Sequence, residues 1–312
     1  MFKSLYNTLR SLLGLAPNKH FTQLCQWQEN WSVYLSQNVD FYRLLSAEDK
    51  KVFEQRIQLF WQTTVIEGSV DVDVSDEDRL LVAAAAIIPV WAFPGWHYFN
   101  LKTVFLLPAA FNHDFICAQP DSLITGMVGT GPMAGKMALS QPDLHAGFNN
   151  SRDKKNVGIH EFVHLVDMAD GNCDGFPERL KAYSFAIPWL DFVGKKIKEI
   201  DSNQSNINAY GATNDAEFFA VASEYFFERP VMLKKKHPQL YEYLSTFYQQ
   251  NLALDRWVGF LQRGLPALLH RERQVPVFLH WTICRHLPLG LSPEENNFHG
   301  ATASTVSWLW EQ

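Results

Sequence analysis

No CxxC pair occurs in this sequence, and its four cysteines, Cys25, Cys117, Cys173 and Cys284, stand far apart. That spacing argues against a cysteine-ligated zinc site and a disulfide framework, and leaves buried free thiols as the reading. An excess of positive charge is missing too. Twenty-seven Lys and Arg against 33 Asp and Glu give a net charge of −6, so there is no long-range field to draw in nucleic acid or an anionic membrane. Nor is any apolar run long enough to cross a bilayer. The longest, residues 80–90, contains Pro89 and covers about half of the roughly 20 residues a span needs. No secretion signal is expected in the first 17 residues, where Lys3 and Arg10 interrupt Phe2, Leu5, Leu9, Leu12 and Leu13. An amphipathic helix over residues 1–20 and a cytoplasmic protein are the expectations.

What is there is enough apolar chain for a sizeable core. Residues 21–66 predict helices: Ser46 with Asp49 resembles a capping box, and Val52, Phe53, Ile57, Leu59 and Phe60 recur at helical spacing. The acidic stretch 71–78 predicts the start of another helix, because carboxylates suit the positive end of a helix dipole. From 89 to 139 the texture becomes β-rich, with strands expected at 103–107 and 136–140. The glycines of 126–136 do not make a phosphate loop, since Gly131 and Gly135 are too close and Met137 follows Lys136 where Ser or Thr is needed. A turn leading into an edge strand is expected there. Residues 21–252 therefore read as one domain, and 253–312, which mixes Pro, His, Trp and Arg without periodicity, as a C-terminal extension.

The run His160-Glu161-Phe162-Val163-His164 lies in an apolar helical pattern. Histidines at i and i+4 share one helix face, so both imidazoles can reach one tetrahedral Zn²⁺. Glu161, beside the first ligand, can take a proton from a water at the open coordination position and pass it to a leaving amine. Two histidines leave the metal short of a third protein ligand. Asp170 stands six residues after His164, but that arrangement needs a glycine where this chain has Asp167. The other source is a second apolar helix carrying Glu217 and Glu224, two turns apart and on one side. Carboxylates on such a face must be paired or bound to metal. Glu217 is the preferred ligand and Glu224 the supporting carboxylate, although spacing alone does not separate them. Tyr210, at the entry to this helix, can donate to a developing oxyanion. Asp167 can accept a hydrogen bond from a ligand imidazole or simply cap a neighbour.

These residues, together with Asn156-Val157, Asn208-Ala209-Tyr210, Ala216-Glu217-Phe218-Phe219-Ala220 and Ser223-Glu224-Tyr225-Phe226-Phe227, closely resemble the Mlc titration factor A family of bacterial zinc metallopeptidases. The resemblance covers roughly residues 20–250. It implies His160, His164 and Glu217 as ligands of one zinc ion, Glu161 as the base and Tyr210 as catalytic. The Tyr and Glu spacing is also similar to that of lethal-factor-type toxin peptidases. The family thus implies an α+β, gluzincin-like (zincin) fold: a mostly helical body and a small mixed sheet whose edge strand lies over the site. Residues 135–140 are the segment assigned to that strand, with Lys136, Met137, Ala138 and Leu139 pairing an extended peptide. Aminopeptidase-like cleavage is implied as well, as is a protein partner, the Mlc glucose repressor, which links the chain to the sugar phosphotransferase system. The tail beyond about 252 departs from the family pattern. A second reading is a repressor-sequestering binding protein whose metal site is structural, and a third a zinc hydrolase of non-peptide substrates.

Overall fold

The computed structural model describes residues 26–70, 72–150 and 153–253. The amphipathic segment expected at 1–20 and nearly all of the extension expected at 253–312 lie outside these residues.

Three helices open the described chain: α1 (Glu29–Asn38), α2 (Asp40–Leu44) and α3 (Ala47–Thr63). Ser46 caps α3 by accepting the Asp49 amide, as the sequence predicts, and the stripe Phe53, Ile57 and Phe60 turns into the core. A short strand β1 (Val65–Gly68) follows, then α4 (Asp76–Ile87). Ser75 and Asp78 close a reciprocal capping box at the start of α4, which satisfies backbone amides that otherwise have no acceptor. From Leu80 onward α4 is buried on every side, which explains why its sequence is apolar all round rather than striped.

The sheet runs in the order β1, β2 (Leu101–Leu107), β4 (Gly135–Ser140), β3 (Gly126–Val128). β1, β2 and β4 are parallel, and β3 runs antiparallel to β4. α4 makes the crossover between β1 and β2. This arrangement corrects one expectation: residues 135–140 do not form an edge strand. β4 is bonded on both sides, and Met137, Ala138 and Leu139 are buried. Lys136 is exposed at its start, with Nζ on the Pro132 carbonyl. The unbroken apolar run Met137-Ala138-Leu139 is what a strand covered on both faces requires. The edge beside β4 is β3, inside the glycine-rich stretch read as a turn.

After β4 come α5 (Gln141–Asn149) and the central α6 (Val157–Asp167), then α7 (Ala186–Asp201), α8 (Asp215–Glu228), α9 (Pro230–Lys236) and α10 (Pro238–Tyr248). The whole is mostly helical with a small mixed sheet, as the α+β reading requires. α6 and α8 pack on each other, and aromatic side chains fill the space around them. Phe162 meets Phe60 and Tyr98 edge-on or tilted, and Phe219 and Phe226 stack on Tyr248. Each fully buried ring removes enough apolar area from water to contribute roughly 1.5–3 kcal/mol. Among the described residues no helix is long and apolar enough to cross a membrane.

Candidate metal centre

Asn156 starts α6, its side chain accepting the Ile159 amide, and every residue from Gly158 to Asp167 is buried. His160 and His164 project from successive turns with ring centroids 4.7 Å apart. Asn214 caps α8 by accepting the Glu217 amide at 2.9 Å, which places Glu217 in the first turn. Glu224 follows two turns later on the same side. The two helices thus bring together five residues singled out in the sequence, while Tyr210 sits in the short 3-10 turn Ala209–Ala212 that leads into α8.

The two glutamates divide the imidazole between them. Glu224 Oε1 lies 2.7 Å from His160 Nδ1, and its Oε2 accepts the backbone N–H of Asn156 at 2.6 Å. Glu217 Oε2 lies 3.0 Å from His160 Nε2 and 3.4 Å from His164 Nε2, and the two Nε2 atoms are 3.1 Å apart. Because a carboxylate only accepts, Nδ1 of His160 must carry the proton, which leaves a lone pair on Nε2. Two ring nitrogens and a carboxylate oxygen then converge with electron pairs facing one another, an arrangement that calls for a cation or shared protons. The separations suit a cation, since a tetrahedron with bonds of ~2.0–2.1 Å has edges of ~3.3–3.4 Å. Among the described residues this trio is the one group of three or more His, Cys, Asp or Glu side chains spaced to hold a metal ion. The donor set, two imidazoles and one carboxylate, is of the type that zinc takes in catalytic sites with a position left open.

Without a metal the same atoms hold protons. Burial opposes a charge on His160, but Glu224 and Glu217, one on each nitrogen, outweigh it and raise its pKa well above the ordinary value. Burial likewise works against an ionised Glu217, yet hydrogen bonds from His160 and His164 pull it down to about 2. Glu161 is buried and shifted upward, chiefly by desolvation, with the two imidazoles opposing and Glu217 and Glu224 adding to it. Tyr210 is pushed up to about 12 by burial and by Glu217 and Glu161, and its hydroxyl lies 3.4 Å from Glu217 Oε1.

The trio opens into a cleft of 1220 Å³ bordered on one side by β3 and the residues after it, through Thr130, and on the other by Tyr210 and Asn214. The contact between β3 and α6 is close: a Cβ on Gly126 would stand 2.7 Å from Glu161 Oε1 and 2.6 Å from Val157 Cγ2. Asp170, the alternative third ligand, turns away to accept the Asn172 amide and pair with Lys181. Asp167 makes no hydrogen bond to either imidazole; its Oδ2 accepts the Gly175 amide at 2.8 Å, and burial raises its pKa to about 6. The side chain touching His164 Nδ1 is Cys173, with Sγ at 3.7 Å. Sequence reasoning passed over Cys173, and over Asn214, although Asn214 three residues before Glu217 is a helix-start signature.

Comparison with known proteins places the chain in a family. Residues 18–249 match the family described as glucose-regulated metallo-peptidase M90. An uncharacterized protein of Synechocystis sp. is 30% identical over 231 residues, covering 70% of this chain and 83% of its own length. Mlc titration factor A of Serratia proteamaculans is 25% identical over 244 residues, 73% of this chain and 88% of the relative. The protein of the same name from Yersinia enterocolitica is 32% identical over 131 residues, 39% of this chain and 48% of the relative.

Proposed function

The chain belongs to the glucose-regulated metallo-peptidase M90 family, and from that premise we propose that it is a zinc-dependent, aminopeptidase-like peptidase with His160, His164 and Glu217 as the ligands of one zinc ion. The observation that carries the reading is the convergence of the three lone-pair atoms beside the buried carboxylate of Glu161. Bound there, zinc supplies Lewis acidity that polarises a peptide carbonyl and makes water acidic enough to lose a proton near neutral pH. Glu161 takes that proton as water adds to the carbonyl carbon, then delivers it to the leaving nitrogen. Tyr210 turns its hydroxyl from Glu217 to the carbonyl oxygen as negative charge develops there. Glu224, with the Asn156 amide, holds the His160 ring with its Nε2 lone pair forward.

β3 takes over the substrate-pairing role first given to residues 135–140. Its outer edge faces the cleft, and an extended peptide adds to such an edge through main-chain hydrogen bonds. Asp143, Asp174 and Asp215 also line the cleft, and their carboxylates suit the cationic amino terminus of a peptide. A zincin-like fold related to lethal-factor-type domains, a peptidase domain bounded by residues 21 and 252, and a cytoplasmic location belong to the same reading. The name that two relatives carry, Mlc titration factor A, favours a second role: binding the Mlc repressor and so regulating the sugar phosphotransferase system, with or without peptide cleavage.

The test is Glu161→Gln. The variant should keep one equivalent of zinc and lose hydrolysis of a short peptide with a free amino terminus. Hydrolysis at the parental rate would remove Glu161 as the base, and a parent that binds no zinc would end the enzymatic reading. A His160→Ala variant that still binds Mlc with parental affinity would make the partner role independent of the metal.

A further inference from the structure

The two histidines of the centre are supported unequally. His160 Nδ1 has a carboxylate at 2.7 Å, whereas the contact of His164 Nδ1 is the sulfur of Cys173 at 3.7 Å. His164 is buried, so an Nδ1–H left without an acceptor would cost the desolvation of a polar group. We propose that Cys173 is a positioning residue of the metal centre, its thiol linking Asp167 to His164 and fixing the tautomer that leaves the His164 Nε2 lone pair for the metal. The proposal rests on the zinc-site reading above.

The local fold brings the three groups together. α6 ends in a 3-10 turn, Met168–Asp170, and Gly171 reverses the chain with φ at +98°, a left-handed value that favours glycine. The strand of chain that returns carries Cys173 against His164 and then donates the Gly175 amide to Asp167 Oδ2, which pins the loop. Gly175 is also left-handed, with φ at +72°, and a Cβ there would stand 2.3 Å from the Asp215 carbonyl oxygen. The loop therefore has little freedom to carry Cys173 elsewhere.

A second observation comes from Asp167. It is wholly buried, and its Oδ1 has no partner at hydrogen-bonding geometry, although the Cys173 thiol lies against the same carboxylate. In the proposed arrangement the thiol S–H donates to that oxygen. Direction then follows from chemistry. The carboxylate can only accept, so the thiol proton goes to Asp167 and the sulfur lone pair accepts Nδ1–H from His164. The opposite polarity, S–H donating to Nδ1, would put the imidazole proton on Nε2, where it would exclude a metal. Glu224 sets the same tautomer on His160 directly. On His164 the setting passes through sulfur, a weaker acceptor than oxygen, which makes this arm of the site the looser one.

The experiment measures zinc affinity of the full chain by competition with a chromogenic chelator, for the parent and for Cys173→Ala, Cys173→Val and Cys173→Ser. Supporting partners of metal-bound histidines are worth about 10–100-fold in affinity. Ala and Val should weaken zinc binding by about tenfold at unchanged thermal midpoint, and Ser, which keeps one donor and one acceptor, should restore it to within about threefold of the parent. Parental affinity in Cys173→Ala and Cys173→Val would overturn the inference while leaving the zinc site standing. So would a Ser variant as weak as Ala, because only the volume of sulfur would then matter. A parent that binds no zinc would overturn the inference together with the reading beneath it.

Discussion

Glu224 Oε1 lies 2.7 Å from His160 Nδ1 while Glu217 Oε2 lies 3.0 Å from Nε2 of the same ring, so one imidazole separates two carboxylates of one helix. Under the proposed zinc site this relationship gives them different work, Glu217 facing the metal and Glu224 facing away from it. Glu224→Gln should therefore weaken zinc binding by about 10–100-fold and still leave a measurable site. Glu217→Gln, which removes a ligand, should weaken it further. Equilibrium dialysis at a series of free zinc concentrations separates the two, and the reverse ranking would exchange their roles.

Tyr210 is about half exposed, with its ring centroid 6.0 Å from that of His160 and its hydroxyl 3.4 Å from Glu217 Oε1. Tyr210→Phe keeps the ring and removes the donor. The expected result is a loss of about 10²–10³ in kcat, with KM and zinc content near parental values, as for loss of one oxyanion donor. Equal falls in kcat and zinc content would mean that the hydroxyl serves Glu217 instead.

Gly126 is the point where β3 meets α6. A methyl group there must displace Glu161 or Val157, since both lie within 2.7 Å of the position a Cβ would take. Gly126→Ala should lower kcat by up to about 10²-fold through a misplaced base, with zinc retained. Steady-state kinetics on the zinc-loaded variant checks this, and an unchanged kcat would show that the carboxylate can shift without penalty.

Away from the site, Asp78 at the start of α4 ties two helices together. It accepts from Ser75, from Gln141 at 3.0 Å and from His145 at 2.7 Å. Burial opposes its ionisation, but the His145, Ser75 and Gln141 hydrogen bonds prevail and hold its pKa near 2 instead of 3.8. The hydrogen bond to Asp78 in turn raises His145 above 6.5 against the opposing effect of burial. A depressed carboxylate stabilises the fold above its unfolded pKa and loses that contribution as pH falls through the folded value. A raised imidazole contributes below its unfolded pKa and loses the contribution as pH rises through the folded one. The stability gap between parent and Asp78→Asn should thus be widest between about pH 4 and 6.5, on the order of 2 kcal/mol, and shrink on both sides. Urea unfolding across that range measures it; a flat gap would remove the ion pair as its source.

How much of this was legible in the sequence depends on how local each feature is. Histidines four apart on an apolar helix are fixed by helix geometry, so His160 and His164 were readable at once, and the spacing of Glu217 and Glu224 gave their common side for the same reason. Which of the two meets Nε2 depends on how α8 approaches α6, and no spacing encodes that. The edge strand was misassigned because β3 has only three residues, two of them apolar between glycines, and looks like a turn. β4 has the longer β-rich run, but that run marks a strand covered on both faces. The expectation of a buried free thiol at Cys173 is corrected, since the residue is exposed, and nothing near it in sequence reveals that Gly171 and Gly175 fold it back onto His164.

The burial of nearly all of α6, which meets the cleft only through side chains such as His160, Glu161 and His164, has a dynamic consequence. A helix whose backbone is so enclosed exchanges its amide hydrogens mainly when the surrounding domain opens, so the backbone under both histidines and Glu161 should rank among the slowest to take up deuterium. On the proposed peptidase reading, any breathing that admits a substrate should then arise at the periphery, in β3 and the turn that carries Tyr210, while His160, Glu161 and His164 stay still.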